Sequence, residues 1–106
     1  MIAVETLHRA AARLHEARPA AAIILFGSQS RGDARADSDA DFLVVLPQPP
    51  ASFRREMVEL GDLLRPLRLP ADVLVLSARR FRDSAAVAGT LCHSILREGK
   101  VLYGRV

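Results

Sequence analysis

The stretch that decides the fold is "LFGSQSRGDARADSDADFLVV", residues 25–45, in which two apolar runs enclose a polar segment. The first run, "AAIILF", is short, rich in isoleucine and ended by Gly27, which predicts a buried strand. The second run, "DFLVVL", is ended by "PQPP" and predicts another strand. We expect the polar segment between them to form a loop or a short helix.

The regions on either side of this stretch show the period of amphipathic helices. Apolar residues recur at three- and four-residue spacings over about 3–17, before Pro19, and again over about 51–65. The run "PADVLVL", residues 70–76, predicts a third strand.

The C-terminal region predicts one more helix. It would extend from about Ser84 to Glu98, with Asp83 or Ser84 as its N-cap and Gly99 as its stop, and a short "VLY" segment would follow. The predicted order is therefore α-β-(loop or short helix)-β-α-β-α. This order indicates a small α+β fold, in which a mixed sheet is flanked by helices.

Length and composition limit the class of protein. A chain of 106 residues, half of them apolar and a quarter charged, is expected to fold as a single domain without a disulfide or metal. Its one cysteine, Cys92, lies among apolar residues, so we expect a buried thiol in a reducing, cytoplasmic protein. No window is apolar enough for a membrane span, and the N-terminus lacks the pattern of an export signal.

The net charge of +3 invites a nucleic-acid interpretation. The arginines that carry it are dispersed along the chain, and no aromatic residues alternate with them as a base-stacking surface requires. We therefore favour a solvated basic surface over direct nucleic-acid binding. A phosphate-bearing ligand remains compatible with the charge.

Three aspartates fall at the edges of the predicted strands. Asp39 and Asp41 are two residues apart at the start of the second strand and would share one face, and Asp72 opens the third strand. If those strands are neighbours, three carboxylates meet and repel one another by about 1 kcal/mol per pair in water and more when partly buried. Magnesium, which accepts carboxylate oxygens and keeps several waters, would relieve the repulsion. Taken singly, each aspartate could equally be an ordinary turn or loop residue.

The residues before the aspartates complete a candidate nucleotide site. Gly27 and Ser28 follow the first strand, where free backbone N–H groups and a hydroxyl can bind phosphate. A Gly-Ser pair also describes many plain turns. Its value here is its place, because it would face the same cleft as the aspartates.

The spacing Gly27, Ser28, ten residues, Asp39, Ala40, Asp41 resembles the signature of the polymerase-beta-like nucleotidyltransferase superfamily. The run "GSQSRGDARADSDADFLVV" is similar to its minimal nucleotidyltransferase branch, and the downstream "ADVLVL" and "REGKVLYG" agree. The resemblance implies the nucleotidyltransferase fold and the transfer of a nucleoside monophosphate from a nucleoside triphosphate to a hydroxyl, with release of pyrophosphate.

The resemblance also implies roles for the site residues. Asp39 and Asp41 would hold two magnesium ions, and Asp72 would complete the site that activates the attacking hydroxyl. The triphosphate of ATP would lie against Gly27 and Ser28. The side chains of Arg31 and Arg35 would offset the negative charge of the triphosphate.

The acceptor is implied only by the family. Larger members carry an additional acceptor-binding domain, whereas the resemblance here covers the catalytic unit alone, so another protein or protomer is expected to present the acceptor. Minimal members are commonly antitoxins that transfer AMP to a tyrosine of a helical HEPN-type ribonuclease toxin. Two alternatives stay open: an antitoxin that neutralises its toxin by binding alone, and a small-molecule nucleotidyltransferase of the aminoglycoside type.

Overall fold

The computed structural model describes residues 2–27, 30 and 39–105. The described residues form four helices, four strands and a short 3₁₀ turn at Arg65–Leu67. In chain order the elements are α1 (Val4–Ala17), β1 (Ala22–Phe26), β2 (Ala40–Leu46), α2 (Phe53–Asp62), β3 (Ala71–Ser77), α3 (Ala78–Ala85), α4 (Leu91–Glu98) and β4 (Lys100–Gly104).

The four strands form one mixed sheet in the order β3-β2-β1-β4. Strands β2 and β3 are parallel, while β1 runs antiparallel to both of its neighbours. The end of β1 and the starts of β2 and β3 therefore meet at one end of the sheet. This arrangement confirms the predicted α+β class and places β2 beside β3, as the argument about the aspartates requires.

Each face of the sheet packs on its own pair of helices. One cluster joins α1 and α2 to the side chains of Phe42 and Val44, and the other joins α3 and α4 to Leu43 and Val45. The alternation of Phe42, Leu43, Val44 and Val45 between the two clusters is the two-residue period of a strand that is covered on both faces. It explains why the β2 sequence is continuously apolar.

A set of polar contacts fixes α1 against α2. The Arg18 guanidinium, which follows α1, donates to the carboxylates of Glu56 and Glu59 at 2.8 and 2.9 Å. Ser52 caps α2 by accepting a hydrogen bond from the Arg55 N–H. Helix α2 is therefore shorter at both ends than the helix predicted over about 51–65. Phe53, in its first turn, is 36% exposed.

The predicted helix from Ser84 to Glu98 is wrong. The structure has two helices here. The first, α3, already begins after Ser77, whose side chain caps it by accepting from the Arg80 N–H at 3.2 Å. Neither Asp83 nor Ser84 is therefore an N-cap. The chain turns at Gly89, whose φ of +89° suits glycine, and Thr90 then caps α4 by accepting from the His93 N–H at 3.1 Å.

The "VLY" segment forms a strand that was not predicted. It lies within β4, which pairs with β1 and forms an edge of the sheet. The ring of Tyr103 contacts the His15 ring of α1 at a centroid distance of 3.8 Å. This contact packs the C-terminal strand against the first helix.

Candidate functional site

Asp41 lies at the centre of the candidate site. In the sheet register it is the partner of Phe26 on β1 and of Asp72 on β3. Because side chains alternate along a strand, Asp41 shares a face with Leu43, and Asp72 shares the same face with Leu74. Asp41 and Asp72 therefore lie side by side on the face that α3 and α4 cover.

Asp39 lies just outside the sheet. Strand β2 begins at Ala40, whose N–H donates to the Pro70 carbonyl at 2.9 Å and so joins the starts of β2 and β3. Asp39 and Asp72 are exposed and Asp41 is half-buried. Within 2–27, 30 and 39–105, however, no three acidic, histidine or cysteine side chains are gathered closely enough to hold a metal ion.

The electrostatics of the site act on Asp41. Partial burial raises the pKa of the Asp41 carboxyl above its usual range, and the charges of Asp72 and Asp39 raise it further. The two neighbouring aspartates thus disfavour a charge on Asp41. A cation among these oxygens would reverse this effect, and oxygen donors are those that magnesium prefers.

Gly27 is required by the position of Asp41. Its φ of +76° lies in the left-handed region, and a Cβ built on it would overlap the Asp41 Oδ2 atom. The glycine therefore leaves its backbone against the carboxylate. The close approach brings the Gly27 backbone and the Asp41 carboxylate together at the sheet end.

The chain after Gly27 is attached to α4. The Ser30 N–H donates to the Gly27 carbonyl at 3.2 Å, and the buried Ser30 hydroxyl donates to the Glu98 carbonyl at 2.8 Å. Three predicted nucleotide-binding residues, Ser28, Arg31 and Arg35, lie outside the described residues.

A pocket opens beside the aspartates, between the end of β1 and helix α4. We call it the α4 pocket; its volume is about 200 Å³. It is lined by Phe26, Gly27, Asp41, Leu91, Ser94, Ile95, Glu98 and Gly99. Because Gly27 and Asp41 form part of its wall, the α4 pocket is continuous with the candidate site.

A larger hollow of about 460 Å³ lies elsewhere, between α2 and the edge strand β3. It reaches Asp72 but is lined by Ala71 and Val73, whose side chains alternate with that of Asp72 and face α2. It is therefore on the face of the sheet opposite to the carboxylates.

The family model for the nucleotidyltransferase domain matches residues 7–100. The chain belongs to this family. The match includes β1, the described aspartates, the third strand and α4, so the candidate site lies inside the nucleotidyltransferase domain. No curated protein sequence matches the chain at a significant level.

Solved structures share the fold of this nucleotidyltransferase domain. A structure assigned as a minimal nucleotidyltransferase is 30% identical, with a TM-score of 0.54, and the match covers 93% of this chain and 95% of that one. A toxin-antitoxin structure with AMP-PNP is 24% identical, with a TM-score of 0.67 and coverage of 92% and 73%.

A third similar structure is a complex from Shewanella oneidensis, a tri-AMPylated HEPN toxin with its MNT antitoxin. It is 22% identical to this chain, with a TM-score of 0.62 and coverage of 95% and 72%. At this identity the likeness shows the shared nucleotidyltransferase fold.

Three residues that were not predicted from the sequence also lie at the site of this nucleotidyltransferase domain. Ser94 and Glu98 line the α4 pocket, and Ser30 fixes the end of α4. Ser94 and Glu98 are four residues apart, which would have placed them on one helix face. Nothing in the sequence said which element that face would meet.

Proposed function

We propose that this chain is a magnesium-dependent adenylyltransferase that transfers AMP from ATP to a hydroxyl, such as a tyrosine hydroxyl, of a HEPN-type toxin and so acts as its antitoxin. The observation that carries the proposal is the position of Asp41, beside Asp72 and against the side-chain-free Gly27. Family membership supports nucleotidyl transfer. The AMPylated toxin in the Shewanella complex supports this acceptor class.

The aspartates have distinct proposed roles. Asp39 and Asp41 would hold the two magnesium ions expected of this chemistry, and Asp72 would complete the metal site that activates the acceptor hydroxyl. Magnesium, when bound, neutralises phosphate charge and favours the ionised form of the attacking hydroxyl. The raised pKa of Asp41 fits this role, because a carboxylate that is disfavoured alone gains most from a cation.

Gly27 would bind the triphosphate together with Ser28, Arg31 and Arg35. The Asp41 carboxylate lies against Gly27, in the space that a Cβ would take, so only glycine allows this close approach of backbone and carboxylate. A phosphate bound here would be adjacent to Asp41. Attack of the acceptor hydroxyl on the α-phosphate would then form the new P–O bond and release the β- and γ-phosphates as pyrophosphate.

A second candidate function is neutralisation of the toxin by binding alone. The absence of a gathered metal-binding group within residues 2–27, 30 and 39–105 favours it. It needs no transfer, so it predicts that Asp41→Asn protects cells as well as the parent chain does.

The experiment that tests the proposal uses a HEPN-type toxin as the acceptor protein. With that partner, ATP and magnesium, the parent chain should release pyrophosphate, whereas Asp39→Asn and Asp41→Asn should reduce the rate at least about a hundredfold. Asp83→Asn, an exposed aspartate on α3, is the matched control and should keep the parent rate. Unchanged turnover in both site variants would contradict the proposal, and full protection by Asp41→Asn would favour binding alone.

A further inference from the structure

The α4 pocket has the size of one part of a nucleotide. Its volume of about 200 Å³ is smaller than the roughly 300–1,000 Å³ of pockets that enclose a whole drug-sized ligand. It lies on the carboxylate face and includes Asp41 and Gly27 in its wall. A ligand whose phosphates occupy the site next to Gly27 could therefore extend one further group into it.

The lining of the α4 pocket does not suit a phosphate. Its lining residues include two acidic ones, Asp41 and Glu98, and none of its described lining residues is a lysine or arginine. A second anion would be repelled there. The pocket thus favours an uncharged part of the ligand that can donate hydrogen bonds.

Its apolar walls suit a flat ring. Phe26 comes from the end of β1, and Leu91 and Ile95 come from successive turns of α4. Aromatic and aliphatic side chains of this kind pack against the faces of nucleobases. The polar groups of Ser94 and Glu98 are left to meet the edge of such a ring.

The position of α4 relative to the phosphate site is fixed by hydrogen bonds. The hydroxyl of Ser30, three residues after Gly27, donates to the Glu98 carbonyl at 2.8 Å, and the Gly99 N–H closes the end of α4 by donating to the Ile95 carbonyl. The end of α4 is therefore held against Ser30. A base in the pocket would meet a preformed wall.

We propose that the α4 pocket binds the nucleobase and that the Glu98 carboxylate accepts a hydrogen bond from an exocyclic amino group on it. The inference rests on the proposed function, since it names the part of the nucleotide that this pocket takes. The class of ligand is a nucleoside triphosphate whose base carries such an amino group. Carboxylates are the side chains that accept from base amino groups in other protein sites.

The test is titration calorimetry of the full chain with three magnesium-bound ligands: ATP, purine riboside triphosphate, which lacks only the amino group, and tripolyphosphate, which lacks the nucleoside. The parent chain should bind ATP about tenfold more tightly than purine riboside triphosphate, as expected for a hydrogen bond to a charged group. In Glu98→Met the affinities for ATP and for purine riboside triphosphate should be about equal. Glu16→Met, on an exposed face of α1, is the matched control and should leave it unchanged.

A second variant tests the pocket by filling it. Ser94→Phe should weaken ATP to the affinity of tripolyphosphate while leaving tripolyphosphate unchanged. Leu96→Phe adds comparable bulk at an exposed position of the same helix that does not line the pocket, and should bind ATP as the parent does. Circular dichroism of both variants checks that they are folded.

Three results would overturn the inference. The first is that the parent binds ATP no more tightly than tripolyphosphate, and the second is that Glu98→Met keeps the parent's preference for ATP over purine riboside triphosphate. The third is that Ser94→Phe binds ATP like the parent; loss of transfer to the toxin by that variant would then assign the pocket to the acceptor side chain. The proposed function is judged separately, because its failure would appear as no transfer by the parent chain whatever the base affinities.

Discussion

Asp41 is the residue at which burial and two like charges act together. Its carboxyl has a raised pKa because of partial burial first, and then because of Asp72 and Asp39. The ionised form is therefore less favourable in the folded chain than in the unfolded one. Its cost to stability is present at neutral pH and disappears as the pH falls below the unfolded value of about 3.9.

We predict that Asp41→Asn makes the metal-free chain more stable at pH 7, by about 0.5 kcal/mol, since the site is partly open to solvent that screens the charges. Urea unfolding at pH 7 and at progressively lower pH measures the difference, which should narrow towards pH 4. Asp62→Asn is the control, because its carboxylate pairs with Arg65 on the surface and its loss should bring no gain. A less stable Asp41→Asn chain at pH 7 would contradict the electrostatic account.

Gly27 gives a second prediction at this scale. Gly27→Ala should lower the free energy of unfolding by about 2 kcal/mol, because alanine is strained at positive φ and its Cβ would meet the Asp41 carboxylate. Gly61→Ala is the matched control: Gly61 lies within α2 with no atom near the added methyl, so it should gain about 0.5–1 kcal/mol. Thermal melting should show a lower midpoint for Gly27→Ala and a higher midpoint for Gly61→Ala. An unchanged midpoint for Gly27→Ala would contradict the close approach of Gly27 to Asp41.

Single residues of the site were partly predictable from the sequence. The two-residue spacing of Asp39 and Asp41 and the place of Asp72 indicated a shared neighbourhood, and the register pairs Asp41 with Asp72. The position of Asp39 one residue before the strand could not be read from spacing, since strand ends depend on pairing. Here the pairing is set by the bond from Ala40 to Pro70.

Helices α3 and α4 show what sequence patterns miss at the level of elements. A cap at Asp83 or Ser84 and a stop at Gly99 indicated one helix, but Gly89 and Thr90 interrupt it with a turn and a new cap. A glycine followed by a threonine is typical of a turn and a new N-cap, and the prediction overlooked this signal. The break matters for function because it sets the direction in which α4 passes over β1.

We predict that Thr90→Ala destabilises the chain by about 1 kcal/mol, because the Thr90 hydroxyl accepts from the His93 N–H and shares its one hydrogen between the carbonyls of Ser84 and Val87. Thr90→Ser keeps the hydroxyl and is the control. Amide hydrogen exchange should show lost protection in α4 for the alanine variant alone. Equal protection in both variants would mean that the cap does not hold this helix.

At the scale of the whole molecule, the two clusters share the sheet as a common wall. Phe42 and Leu43 alternate between them along β2, so neither cluster can form without the strand that also carries Asp41. The class of fold followed from the order of apolar runs. The strand order β3-β2-β1-β4 did not, because the pairing of β4 with β1 is a long-range contact that local pattern does not encode.

We predict that the chain unfolds in urea as one cooperative unit. It has a single tyrosine and no tryptophan, so tyrosine fluorescence reports on the contact of Tyr103 with His15, whereas far-ultraviolet circular dichroism reports mainly on the helices. The two signals should give the same midpoint. Separate midpoints would show that β4 or a pair of helices unfolds independently.

The central claim, that this chain transfers AMP to a toxin, is tested most directly by intact-mass measurement of the HEPN-type partner after co-expression. We predict that the partner gains the mass of one or more AMP groups with the parent chain and none with Asp41→Asn. An unmodified partner with the parent chain, or equal modification with Asp41→Asn, would contradict it.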